Sequence, residues 1–272
     1  MNEIGAIKVA SEPSIGVQLL AGGFSAVVAK TATAPLERIR IIQQTVQSNR
    51  NTSAISLIRD ITRDEGLAAF WRGNLPAVIR IFPTYALRLT LFERFKDVFG
   101  KKDSFAGGLL SGCASSFVTT AVTYPLDVLR TRMATDRGQR GVSFREAYVV
   151  VKASGGLYKG ITINMIEAVP YVGISLASYD AFKRNFIHVP HWCSAITTGL
   201  LATGVCFPLD TLRRYLVVNH ETTVSVGIRE LWEQGRIKRF YRGLPVSLVK
   251  SGPTVGLILT LNDEIKRRLS SS

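Results

Sequence analysis

Apolar residues gather into long uncharged stretches, the clearest covering residues 13–29, 104–126 and 192–209. Uncharged apolar runs of about 18 residues or more mark candidate membrane spans. Each stretch runs into the same six-residue pattern of proline, acid and base: Pro35-Leu36-Glu37-Arg38-Ile39-Arg40, Pro125-Leu126-Asp127-Val128-Leu129-Arg130 and Pro208-Leu209-Asp210-Thr211-Leu212-Arg213. The prolines stand 90 and 83 residues apart, close to one third of the 272-residue chain each time. Such spacing marks three supersecondary units that bury their apolar faces only against one another. The pattern predicts long helices over 14–43, 74–99, 104–134, 161–186, 191–218 and 244–268, with short amphipathic ones near 53–64, 143–152 and 224–232. The repeats are expected to be 1–100, 101–186 and 187–272, forming one integrated domain.

Two further elements recur in phase. An aromatic-base-Gly triplet appears as Trp71-Arg72-Gly73, Tyr158-Lys159-Gly160 and Tyr241-Arg242-Gly243. An acid three residues before a base closes each unit: Glu93 with Lys96, Asp180 with Lys183, and Asp263 with Lys266. Asn262 stands where the first two copies carry an aromatic residue. Strongly polar residues interrupt the second helix of each unit, namely Arg80 and Arg88, Glu167, and Lys250. Inside a membrane such groups are costly and face a water-filled cavity or a partner.

Apolar residues make up 46% of the chain, which carries a formal net charge of +14. With spans this long, the basic excess points to anionic lipid or an anionic substrate rather than to DNA. No aromatic-basic RNA motif, zinc spacing or helix-turn-helix supports a nucleic-acid partner. Cys113, Cys193 and Cys206 lie in apolar runs at spacings that match no metal site, and they read as small buried hydrophobes. His188, His191 and His220 are scattered, and no nucleophile or phosphate loop supports an enzyme. Neither a metal nor a cofactor is expected. Residues 1–12 show no signal or Arg-rich transit peptide, so an organellar address is expected elsewhere in the chain.

Together the prolines with their acids and bases, the aromatic-base-Gly triplets and the closing acid-base pairs resemble the mitochondrial carrier family across essentially the whole chain. That resemblance implies an all-α membrane protein of six transmembrane helices in a threefold pseudosymmetric bundle, multi-pass in the mitochondrial inner membrane or that of a related organelle, working as a monomer. It implies a matrix gate in which Glu37 pairs with Arg130, Asp127 with Arg213 and Asp210 with Arg40, braced by Gln44. Glu93, Lys96, Asp180, Lys183, Asp263 and Lys266 would form a cytosolic gate. The aromatic-base-Gly triplets would hold cardiolipin, or else anchor at the interface through Trp and Tyr.

The first third is similar to ADP/ATP carriers, through residues 29–38 and 70–84. That similarity implies adenine nucleotides as substrates, with Lys30 and Arg80 on their phosphates and Arg88, Glu167, Ala168, Tyr171 and Lys250 completing the site. Later segments depart from it. Lys250-Ser251-Gly252-Pro253 and Pro170-Tyr171-Val172-Gly173-Ile174 look more like ATP-Mg/phosphate carriers, and Arg213-Arg214-Tyr215-Leu216-Val217-Val218 lacks a third arginine. Glu167 falls where nucleotide carriers have a small residue. An acid there either pairs with Arg88 or Lys250 or selects a different head group. Coenzyme A, thiamine pyrophosphate or ATP-Mg against phosphate are the alternative cargoes, and a soluble basic helical scaffold is a remote one.

Overall fold

The computed structural model describes residues 15–45, 53–99, 105–138, 140–153, 156–185, 191–219 and 223–270. Among the described residues every regular element is helical. In chain order they are α1 (Ile15–Thr45), α2 (Ala54–Asp64), a 3-10 turn (Leu67–Trp71), α3 (Asn74–Ile79), α4 (Ile81–Phe99), α5 (Phe105–Thr135), α6 (Phe144–Ala153), α7 (Ile161–Asn185), α8 (His191–Val218), α9 (Val224–Glu233), α10 (Arg236–Phe240) and α11 (Leu244–Ser270). One unit, a long helix, a short amphipathic helix and a second long helix, occurs three times. The protein is an all-α membrane protein whose six long segments form a threefold pseudosymmetric bundle.

Two features differ from the sequence expectation. The second long segment divides at Arg80, because Pro83 has no N–H to return to the carbonyl of Ile79. Hydrogen bonds from Arg80 N to Pro76 O (3.1 Å) and from Thr84 N to Arg80 O (3.0 Å) carry the axis across the break. The 3-10 turn and α10 were also not expected; each is a five-residue step between a short helix and the next long one.

The segments Leu19–Thr45, Leu67–Phe99 and Arg236–Arg268 are long and apolar enough to cross a membrane, with mean hydropathies of 1.3, 1.3 and 1.4. Helices α5 and α8 are as long, at 31 and 28 residues, but their inner faces are built from hydroxyls. Ser111, Ser115, Thr119, Thr123, Ser194 and Thr198 are buried. Ser111 Oγ donates to Gly107 O (2.7 Å) and Thr123 Oγ1 to Thr119 O (2.8 Å), so their polarity is absorbed by their own helix. Leu110, Phe117, Val122, Leu201 and Val205 point outward and are exposed. Small polar groups inside and large apolar ones outside is the arrangement lipid demands.

The closest packing joins α11 to α1, α4 to α5 and α7 to α8, so each unit's last helix lies on the first helix of the next. The short helices seal the base through three equivalent cores. Leu57 and Ile61 of α2 meet Ile39, Ile42, Phe70 and Val246. Ala147 and Val151 of α6 meet Tyr124, Leu129, Met133 and Val217. Leu231 of α9 meets Ile163, Leu212, Tyr215 and Leu216. Val246, Val217 and Ile163 each come from a neighbouring unit, so no repeat completes its core alone. Ser143 and Glu146 start α6 with a reciprocal capping box, at 2.8 and 3.3 Å.

The aromatic-base-Gly triplets join the units. Pro35 leaves the carbonyl of Thr31 without its helical partner, and Trp71 Nε1 donates to that oxygen at 2.9 Å. Tyr158 stacks on Tyr124 and Tyr241 on Phe207, both with ring centroids 6.4 Å apart. The three glycines have φ of +81°, +80° and +92°. A Cβ on Gly73 would lie 2.7 Å from Arg130 O, one on Gly160 3.2 Å from Arg213 O, and one on Gly243 3.3 Å from Arg40 O. Each glycine therefore admits the backbone of the base that closes a proline motif in another unit.

This geometry separates two costs. Gly66 also has a positive φ (+82°) but would meet nothing within 4 Å. Gly66→Ala should cost only the backbone strain, about 1–2 kcal/mol. Gly73→Ala adds a collision with Arg130 O and should lower the melting temperature of the purified protein clearly further. Equal shifts for the two variants would show that the close approach is unimportant.

Candidate functional site

Where the proline motifs converge, three carboxylates, two buried and Asp127 half-buried, meet six cations. Glu37 of α1 has Arg130 Nη2 of α5 at 3.0 Å, Lys250 Nζ of α11 at 2.6 Å, Arg214 Nη2 of α8 at 3.4 Å and Arg40 Nη1 of its own helix at 3.6 Å. Asp127 of α5 pairs with Arg213 of α8 and with Arg80 Nη1 at 2.5 Å. Asp210 of α8 pairs with Arg40 of α1, accepts from Arg214 Nε at 3.1 Å, and accepts from Gln44 Nε2 at 2.9 Å. Gln44 Nε2 also lies 3.1 Å from Thr211 Oγ1. The structure thus brings together Glu37 with Arg130, Asp127 with Arg213 and Asp210 with Arg40, with Gln44 beside the last pair.

Aromatic rings steady two of these bases. Arg40 lies 5.5 Å over the Phe207 ring and Arg213 5.4 Å over the Tyr124 ring. Both rings immediately precede a motif proline; Ala34 holds that place in the first unit. Lys30 lies beside Ala34, Glu37 and Arg130 in a small recess and forms no ion pair among the described residues.

Arg80, expected on substrate phosphates, and Lys250, expected in the substrate site, rest on Asp127 and Glu37. Both side chains are long enough to reach the acids at the base of the cavity when nothing competes for them. Glu167 pairs with neither Arg88 nor Lys250. Its Oε2 is buried without a hydrogen-bond partner, while Lys250 turns to Glu37 and Arg88 opens on another recess. Above the charged floor a cavity of about 210 Å³ is lined by Arg40, Glu167, Tyr171, Phe207 and Lys250, among others. Arg88 and Ala168 instead line a larger, mostly apolar recess of about 530 Å³ between α4, α5 and α7.

Of the closing acid-base residues at the other end, Glu93, Lys96 and Asp263 are exposed and form no ion pair among the described residues, while Lys266 is half-buried and engaged. The side chains of Asp180 and Lys183 lie outside the described residues.

Arg38 and Arg239 were not singled out in the sequence, and Arg72 and Lys159 have partners beyond those expected of them. Arg38, buried, donates to Ala134 O (3.1 Å) and Asp136 O (2.7 Å) at the end of α5 and pairs with Glu65 at 2.6 Å. Arg72 joins Glu65 at 2.7 Å and Gly138 O at 2.7 Å. Lys159 donates to Asn219 O beyond α8 (3.1 Å), and Arg239 to Gln43 O (3.0 Å) and Gln44 O (3.1 Å) of α1. Each first helix thus has its terminal carbonyls capped by a cation from another unit. Arg72 and Lys159, expected at lipid, have these protein acceptors; Arg242 N donates to Arg239 O at 3.3 Å. The signal in the sequence was the extra arginine after an acid or base, in Glu37-Arg38 and Arg213-Arg214.

Three consecutive segments, residues 11–103, 101–190 and 188–272, match the mitochondrial carrier protein family, and the chain belongs to that family. The thylakoid ADP,ATP carrier protein of Arabidopsis thaliana chloroplasts is 32% identical over 280 residues, covering 96% of this chain and 67% of that protein. Human ADP/ATP translocase 3 is 31% identical over 292 residues, covering 93% and 97%. The mitochondrial coenzyme A transporter SLC25A42 of Xenopus tropicalis is 31% identical over 279 residues, covering 92% and 84%. The chain is a carrier-type transporter of nucleotide-like or other anions.

Removing one acid leaves its cations buried and unopposed, a loss of about 3–5 kcal/mol for a buried pair. Glu37→Gln removes four cation contacts, although Arg40 and Arg214 keep Asp210, and Asp127→Asn removes two. Glu37→Gln should therefore give the larger fall in melting temperature. A larger fall for Asp127→Asn would mean that Glu37 is not the centre of the floor.

Proposed function

We propose that the protein exchanges adenine nucleotides across an organellar inner membrane by alternating access, with the charged floor as its matrix gate and the closing acid-base pairs of each unit as its cytosolic gate. The observation that carries this reading is the imbalance of charge: six cations on three carboxylates, with Lys30 unpaired beside them. A nucleoside di- or triphosphate brings about three to four negative charges, which match that excess.

Arg80 and Lys250 link binding to opening. A phosphate that takes Arg80 from Asp127 and Lys250 from Glu37 satisfies those cations and leaves the two carboxylates with fewer partners. Binding then favours the open form through differential affinity, as any ligand-driven switch requires. Mitochondrial siting, cardiolipin at the N-termini of α3, α7 and α11, and action as a monomer are parts of the same reading. Similarity to both ADP/ATP carriers and coenzyme A transporters supports a cargo that contains a phosphorylated adenosine.

Exchange in liposomes loaded with labelled nucleotides tests this. Uptake of another phosphorylated anion, with none of ADP or ATP, would overturn it. Lys30→Ala removes no ion pair, so exchange should fall at least about tenfold while the melting temperature stays put. Arg80→Ala should lower both. Undiminished exchange in either variant removes that phosphate contact.

A further inference from the structure

A further cavity lies on the opposite side of the charged floor. Thr45, Thr135 and Val218 stand eight residues beyond Glu37, Asp127 and Asp210, and all three line it, about 12 Å past the acids along their helices. Its volume is about 340 Å³, and Val142, Ala147 and Val150 close one wall. The ends of α1, α5 and α8 therefore meet around one space, to which α5 alone brings cations, Arg132 and Arg137.

Three helix C-termini would by themselves favour a bound cation. Here their carbonyls already have donors: Arg38 on Ala134 O and Asp136 O, Lys159 on Asn219 O, and Arg239 on Gln44 O. The hydroxyls are engaged too, Thr45 Oγ1 on Ile41 O (2.7 Å) and Thr135 Oγ1 on Arg132 O (2.9 Å). The two guanidiniums are barely used. Arg132 donates to Val218 O at 3.4 Å and forms no ion pair among the described residues. Arg137 comes to 3.6 Å from Glu65 Oε1, and the other oxygen of that carboxylate holds Arg38 and Arg72. Asp136, the one acid among the lining residues, has Arg72 at 4.0 Å. Asn219 gives one amide hydrogen to Tyr215 O (3.0 Å) and keeps a second.

We propose that this cavity is a second anion site, which takes a small soluble phosphate between Arg132 and Arg137 and so holds the ends of α1, α5 and α8 together. A phosphate accepts from several donors at once, and guanidinium forks fit its oxygens bidentately. Bound there, it lies across the route that opens when the floor parts. A ligand that binds the closed floor and not the open one favours closure through its differential affinity. The inference rests on the reading of the floor as a gate. It adds an anion whose effect opposes that of the cargo.

Thermal unfolding of the purified protein in inorganic phosphate or glucose 6-phosphate, against chloride at equal ionic strength, separates binding from screening. The anion giving the larger shift is the form that fits. At a tenfold excess over its dissociation constant it should raise the melting temperature by about 2–5 °C. Arg132→Gln combined with Arg137→Gln should abolish that rise, whereas Lys30→Ala should keep it. Neither arginine makes a strong contact in the fold, so the double variant should melt as wild type does without the anion. No rise in wild type, or a rise kept by the double variant and lost in Lys30→Ala, would overturn the assignment. In proteoliposomes with the same anion at saturation on both faces, exchange of labelled ADP should slow at least about fivefold in wild type and not in the double variant. Equal slowing of both would sink the hold on the gate. A melting shift that follows Arg132 and Arg137, in a protein that exchanges neither ADP nor ATP, would keep the site and remove the exchange reading instead.

Discussion

One carboxylate holds the base of this bundle together. Glu37 is reached by cations from α1, α5, α8 and α11, and no other acid in the floor gathers as many helices. Buried ion pairs contribute little net stability, because desolvation offsets their attraction, yet removing one partner is expensive. That combination suits a latch better than a brace. Cations outnumber acids here, so the closed floor carries a positive excess. The same ion pairs that join the helices leave Arg40 and Lys250 lining the cavity above.

Packing determines which contacts have to give way. The bundle falls into three tightly joined pairs, α11 with α1, α4 with α5, and α7 with α8, each straddling two repeats. Glu37 to Arg130, Asp127 to Arg213 and Asp210 to Arg40 all run between different pairs. Lys250 to Glu37 and Arg80 to Asp127 run within one pair, so they hold the acids in place without crossing a seam. An anion that captured Arg80 and Lys250 would free the acids from within those helix pairs. The terminal carbonyls capped by Arg38, Lys159 and Arg239 add polar ties between different units.

The threefold part of this was legible in the sequence, because a motif that recurs in phase names its own partners. Prolines, gate acids, gate bases and triplet glycines all fall into equivalent places. The extra partners of Arg80 and Lys250 were not legible, since a long flexible side chain can reach either toward substrate or down to an acid, and spacing does not choose. The break at Arg80 could have been found from Pro83, whose missing N–H falls four residues after Ile79. The carbonyl acceptors of Arg72 and Lys159 were not legible either, since a backbone oxygen leaves no trace in residue identity.

Symmetry accounts for closure and departures from it account for recognition. In two units an aromatic ring before the proline lies against a motif base; the first has Ala34 instead, which leaves room beside Arg130 for Lys30. Among the described residues α7 sends no charged side chain into the floor pairs, and its one acid there, Glu167, lacks a partner. The repeated positions build the closed floor, and these unrepeated ones distinguish one wall of the cavity from another.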